Sequence, residues 1–248
     1  MTFAVIVIVL LLYVVIVDVQ NYINMNVDLR LVSFVKMYTY ESLAPFQLKH
    51  EFTMVVAGPS KSGKTEFVKQ LVQNTHWITP PPHKIVWCYR EWQKAYESLQ
   101  ESVTFVKNIP SDDEQLVADL NTPHLLIFDD MMGGKAIESI VDWFTRKAHH
   151  RNTSVIYITQ NLFDRAAQHR TISLNAHYLV LFKNPRDKSQ IGVLSRQLQM
   201  PHLLPAYEEA TARPHGYLLV DLSPQTPEEL RLRSQLFSNL AVHMAPSV

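Results

Sequence analysis

The chain has 248 residues, 47% of them hydrophobic, enough to bury one sizeable core and too apolar for an intrinsically disordered protein. Its 23 basic and 23 acidic residues cancel, which excludes attraction of nucleic acid by a global positive field and leaves only local clusters for such contacts. The single cysteine, Cys88, excludes an internal disulfide framework and fits a reducing compartment.

The chain opens on an apolar run from Phe3 to Val17, with no basic residue before it and Asp18 after it. It lacks the positive start and small-residue cleavage site of a signal peptide, and its fifteen residues fall short of the about 20 that a spanning helix needs. Three readings stand side by side: a short anchor touching a membrane through residues 3–17, a buried strand or helix of this or a neighbouring subunit, and a translated stretch outside the native domain. Residues 1–20 are set apart on this ground. Residues 21–47, polar and aromatic by turns, read as a linker or peripheral element, 48–222 as the main domain, and 223–248 as a C-terminal helix and tail.

The apolar run Phe52 to Ala57 predicts a buried strand, and Thr65 to Val72 predicts a helix with Phe67, Val68, Leu71 and Val72 on one side. Between them lies Gly58-Pro59-Ser60-Lys61-Ser62-Gly63-Lys64-Thr65, with two glycines, a lysine and a hydroxyl at the spacing of a phosphate-binding loop. Strand before and helix after are the context this motif needs. Backbone N–H groups and the positive helix end would surround a β-phosphate, Lys64 would reach the β- and γ-phosphates, and Thr65 would be a Mg²⁺ ligand. ATP and Mg²⁺ are the cofactors this implies. A chance match in a turn is made less probable by the scarcity of glycine, since two of only six glycines sit here.

Lys84 to Tyr89 reads as an outer strand of the same sheet, with Cys88 in the core. Leu125 to Asp130 is four apolar residues of a buried strand ending in two carboxylates. Asp129 would hold the metal, directly or through water, and Asp130 is the candidate general base that polarises the attacking water. A helix from Ala136 to His149, with Ile137, Ile140, Val141 and Phe144 at helical spacing, leads to the strand Ser154 to Thr159. In the division of P-loop proteins where an extra strand separates the phosphate loop from the metal carboxylate, this strand lies next to the loop and its terminal polar residue senses the γ-phosphate, which makes Gln160 the candidate sensor, with a plain polar strand terminus as the alternative. Tyr178 to Phe182, a helix from about Lys188 to Leu198 and a strand from Gly216 to Leu222 follow. The apolar core of the last strand points to burial on both faces, as in parallel sheets. Thr226-Pro227-Glu228-Glu229 carries the marks of a helix start.

Arg146, Arg151, Arg165 and Arg170 fall between the carboxylates and the fifth strand. Arg151 and Arg170, expected in loops, are favoured as cations acting on a neighbouring subunit's site. His149 and His150 point apart on a helix and have no partner at zinc-ligand spacing.

Taken together, Gly58 to Thr65, Leu125 to Asp130, Ser154 to Asn161 and the run Arg170 to Asp187 resemble the packaging ATPases of the FtsK/HerA superfamily, most closely those of Polinton-type (Maverick) elements and related double-stranded DNA viruses. The resemblance spans roughly residues 48 to 222; the first two motifs are shared by many NTPases, the last two are more specific. It implies an α/β, RecA-like fold with a mainly parallel sheet between helices, assembled as a homo-oligomeric ring around double-stranded DNA. ATP hydrolysis would drive the genome into a capsid through a capsid or portal component, in the host nucleus or cytoplasm and in association with the virion. Lys64, Thr65, Asp129, Asp130 and Gln160 carry over as phosphate, metal, catalytic and sensor residues, and Lys183, Arg186 and Lys188 are candidates for DNA-phosphate contacts. The N-terminal apolar run departs from the family pattern. A helicase or replication ATPase would share the nucleotide residues, a small-molecule kinase would want a second substrate in place of water, and a membrane-bound scaffold would use the loop structurally.

Overall fold

The computed structural model describes residues 46–112, 116–117, 119–131, 133–162, 167–186, 188–237 and 242–243, which fall within a single compact unit. The expectations for residues 1–45, for Arg165 and Asp187, and for the tail after 243 lie outside the described residues.

Among the described residues, nine strands form one sheet: β1 (Thr53–Ala57), β2 (Lys84–Tyr89), β3 (Thr104–Lys107), β4 (His124–Asp129), β5 (Thr153–Thr159), β6 (Tyr178–Phe182), β7 (Tyr217–Asp221), β8 (Leu232–Ser234) and β9 (Val242–His243). Their spatial order is β9-β8-β7-β6-β1-β5-β4-β2-β3. The six strands from β6 to β3 are parallel, and β7, β8 and β9 are added antiparallel. As expected, β5 lies beside β1 and β2 lies beyond β4 in the same sheet. The β3 edge strand is half exposed and was not legible as a strand.

Among the described residues, five α-helices of eight residues or more flank the sheet: α1 (Lys64–Gln73), α2 (Gly134–Asp142), α3 (Ala167–Leu174), α4 (Ser189–Leu198) and α5 (Leu203–Ala210). The connection from β1 to β2 and the connections β4 to β5 to β6 run in opposite directions across the sheet. Because parallel crossovers are right-handed, α1 covers one face while α2 and α3 cover the other. On the α1 face, Phe67, Val68, Leu71 and Val72 join alternate strand residues Met54, Val56, Leu125, Ile127, Ile156 and Ile158 in one core. Every residue of β1, β4, β5 and β6 is buried, which is why these strands read as unbroken apolar runs. Cys88 is buried in β2, and burial pushes its thiol up to about 12.

Three expectations are corrected. The β7 strand is as buried as expected but antiparallel to β6, because an apolar run reports burial on both faces and carries no direction. The helix expected from Thr226 is one 3-10 turn, Glu228–Leu230, followed by β8. Thr226 Oγ1 donates to Asp221 at 2.8 Å instead of capping a helix, and Arg231 ties the turn back to the Asp221 and Ser223 carbonyls. The helix after β4 continues from α2 through a π turn, Trp143–Lys147, into Ala148–His150. The wider turn rotates the buried face, so Trp143 is fully buried with Ile137, Ile140 and Phe144, whereas Val141 is only half-buried.

Candidate nucleotide site

The loop leaves β1 at Gly58, whose N–H donates to the Thr159 carbonyl of β5 at 3.3 Å. A side chain at Gly58 would place its Cβ 2.6 Å from Phe182 Cβ and 2.9 Å from Ser62 Oγ, so the close approach of loop and β6 requires glycine. Ser62 N–H donates to the Pro59 carbonyl at 3.2 Å, and Lys61 (φ 65°) and Gly63 (φ 111°) take left-handed conformations that fold the chain over the start of α1. No side chain among the described residues caps α1 at Gly63, which leaves its first-turn N–H groups to the loop end of the helix. Ser62 Oγ is buried with no hydrogen-bond partner among the described residues.

Lys64, the first residue of α1, donates from Nζ to the Pro59 carbonyl at 3.0 Å. Burial lowers its pKa, while Asp129 and Asp130 pull the other way. Thr65 follows, half-buried. Asp129 ends β4 and is 3% exposed; the Tyr96 hydroxyl donates to its Oδ2 at 2.6 Å. Burial holds the Asp129 carboxyl above the usual carboxylate range, against the Tyr96 bond and Lys64, which favour its charged form. Asp130 is exposed at the strand end in a left-handed conformation (φ 54°), its N–H bonded to the Ile158 carbonyl at 3.2 Å. Gln160, exposed at the end of β5, lines a small crevice with Gly58, Asn184 and Tyr207.

The fold thus brings the loop, Lys64, Thr65, Asp129, Asp130 and Gln160 to the carboxyl ends of β1, β5 and β4. Uncapped helix N–H groups, an ammonium and a buried carboxylate beside a hydroxyl fit a triphosphate with a hard divalent cation. The arginines are not brought there. Arg151 precedes β5 at the amino-terminal edge of the sheet, and Arg170 lies exposed on α3, not in the loop expected for it, because α3 already begins at Ala167. Arg146 pairs with Asp142 at 3.2 Å, and Lys188 with Glu208 at 3.5 Å. His149 bonds Glu51 at 2.6 Å.

Two features escaped sequence reasoning. Tyr96 sits in a 3-10 segment, Lys94–Leu99, that no periodicity marks. His215 (φ 60°) places Nδ1 3.2 Å from the Ser62 carbonyl, in the wall of a cleft of about 370 Å³ with Pro59, Lys61, Lys183 and Arg213. The only local signal was the turn composition of Arg213 to Gly216, and the approach to the loop exists because β7 returns antiparallel beside β6.

No protein-family model matches the sequence, and a comparison with curated proteins returns no match. Among solved structures, the chain is similar to the genome packaging NTPase B204 from Sulfolobus turreted icosahedral virus 2 in complex with sulfate, at 16% identity over 80% of this chain and 98% of that one, with a TM-score of 0.49. The same protein in complex with ATP-gammaS matches at 16% identity over 71% and 94% of the two chains, TM-score 0.46. EccC (ATPases 2 and 3) of Thermomonospora curvata, in complex with a signal sequence peptide, matches at 10% identity over 79% of this chain and 37% of that one, TM-score 0.42.

Proposed function

We propose that the chain is an ATP-hydrolysing motor that moves double-stranded DNA into a viral capsid, working as a homo-oligomeric ring. The observation that carries the hydrolytic part is the convergence of Lys64, Thr65, Asp129, Asp130 and Gln160 at one end of three adjacent strands. The packaging part rests on the resemblance carried by Ser154 to Asn161 and Arg170 to Asp187.

On this reading Lys64 exchanges the Pro59 carbonyl for phosphate oxygens, and the first-turn N–H groups of α1 hold the same anion. Thr65 and Asp129 hold Mg²⁺, which neutralises charge developing on the phosphate oxygens. Asp130, exposed beside the buried Asp129, accepts a proton from the attacking water, and Gln160 orients that water. Arg151 or Arg170 is supplied by a neighbouring subunit. DNA contacts are with phosphates and not base edges, because a motor passes every sequence; Lys183, Arg186 and Lys188, past the end of β6, are proposed for them.

Steady-state ATPase measured with and without duplex DNA across a salt series tests this. Stimulation at low salt that fades as salt rises is expected, with Lys64→Ala inactive throughout. Absence of stimulation at low salt would overturn the DNA-motor reading, and unwinding of a forked duplex would turn it into a helicase.

A further inference from the structure

An aromatic donor closes on Asp129 from outside the loop. The Tyr96 hydroxyl lies 2.6 Å from Oδ2, with Tyr96 1% and Asp129 3% exposed. The Tyr96 ring cannot turn away easily. It stacks on Phe105 at 5.1 Å and 26° between planes, and it is wedged against Trp87 at 5.2 Å and, edge-on, against Trp92 at 5.4 Å. A hydroxyl fixed by aromatic packing thus defines the place of one carboxylate oxygen before any ligand arrives.

We propose that Tyr96 is a positioning residue for Asp129: its hydroxyl pins Oδ2, so that the other oxygen is presented to a divalent cation held jointly with Thr65. This rests on the metal–nucleotide reading above. Pinning one oxygen removes the rotation that the carboxylate would otherwise lose on coordination, and it keeps a buried charge satisfied while the cation is away.

The test is Mn²⁺ binding to the full chain with ADP present, followed by electron paramagnetic resonance, beside ADP binding without metal. Tyr96→Phe keeps the ring and removes the hydroxyl; it weakens Mn²⁺ binding by about 10-fold to 100-fold and leaves metal-free ADP affinity unchanged. Phe105→Leu loosens the stack but keeps the hydroxyl, so it lowers the melting temperature and weakens Mn²⁺ binding clearly less than Tyr96→Phe does. Unchanged or tighter Mn²⁺ binding in Tyr96→Phe, or equal weakening in Phe105→Leu, would overturn the proposal and leave the nucleotide reading standing. A wild-type chain that fails to bind Mn²⁺ with ADP removes both.

Discussion

Along the amino-terminal ends of β1, β5 and β6, polar side chains are spent on one another. The Asn152 amide oxygen accepts from His50 Nε2 at 2.9 Å, which leaves His50 Nδ1 to accept from the Ser154 hydroxyl at 2.6 Å, while Ser154 Oγ accepts from the Phe52 N–H at 3.3 Å. Thr53 donates from N–H to His177 Nδ1 at 3.0 Å and from Oγ1 to the Asn175 carbonyl at 2.6 Å. At the carboxyl ends, the same kinds of group are held back. Ser62 Oγ has no partner among the described residues, α1 starts without a side-chain cap, and Asp130 takes a left-handed backbone. One edge closes the fold, and the other keeps donors and charge for a ligand, at a cost that the first edge and the core offset.

The largest effect that would sharpen this contrast is at Asp130. Asp130→Asn keeps the side-chain shape and tolerates the left-handed backbone, so folding and ATP binding should stay as they are. Turnover should fall about a hundredfold, about 2.7 kcal/mol in activation free energy, because the water loses its proton acceptor. Single-turnover hydrolysis beside calorimetric ATP binding checks both halves. Unchanged turnover removes Asp130 from the base role.

The opposite result is expected of Ser154→Ala at the other edge. The change strands His50 Nδ1 and the Phe52 N–H together, so urea unfolding should show a loss of about 1–3 kcal/mol. Turnover per folded molecule should not change, since Ser154 lies at the end of β5 away from Gln160. A variant of wild-type stability but reduced turnover would break the division between the two edges.

The carboxyl edge was largely legible in the chain, because its chemistry is written in local order: a strand, the loop Gly58 to Thr65, a helix whose four buried positions are those that its spacing predicted, and a strand ending at Asp129. The placing of β5 beside β1 came from the division of P-loop proteins that this order of loop, extra strand and carboxylate matches, and not from local order alone. What escaped depends on contacts distant in sequence. Tyr96 meets Asp129 across 33 positions, and His215 meets Ser62 across 153. The C-terminal strands escaped for a different reason: the capping signals at Thr226 were real, but pairing of Leu232–Ser234 with β7 outweighed a helix that could have packed only a short face. Arg170 was misplaced for want of any apolar period to announce α3.

The smallest effect separates the edges by pH. Burial lowers the pKa of His177, with Asp221 opposing, and burial followed by Lys84 lowers that of His124. The unfolded chain therefore binds these protons more readily than the folded one, and the stability that the neutral rings contribute is complete above the unfolded value of about 6.5 and lost as pH falls toward their folded values. Asp129 works with the opposite sign, because burial raises its pKa: the folded state takes up that proton first, so acid relieves a cost at the carboxyl edge while it removes support at the amino-terminal one. Each histidine can steepen the loss by up to about 1.4 kcal/mol per pH unit. Urea unfolding from pH 8 to pH 4.5 should show stability falling below pH 6.5. His177→Asn keeps a neutral acceptor for the Thr53 N–H and cannot titrate, so it should flatten that slope by up to one proton's worth. If the two slopes coincide, the neutral His177 ring is not what acid takes away from the closed edge.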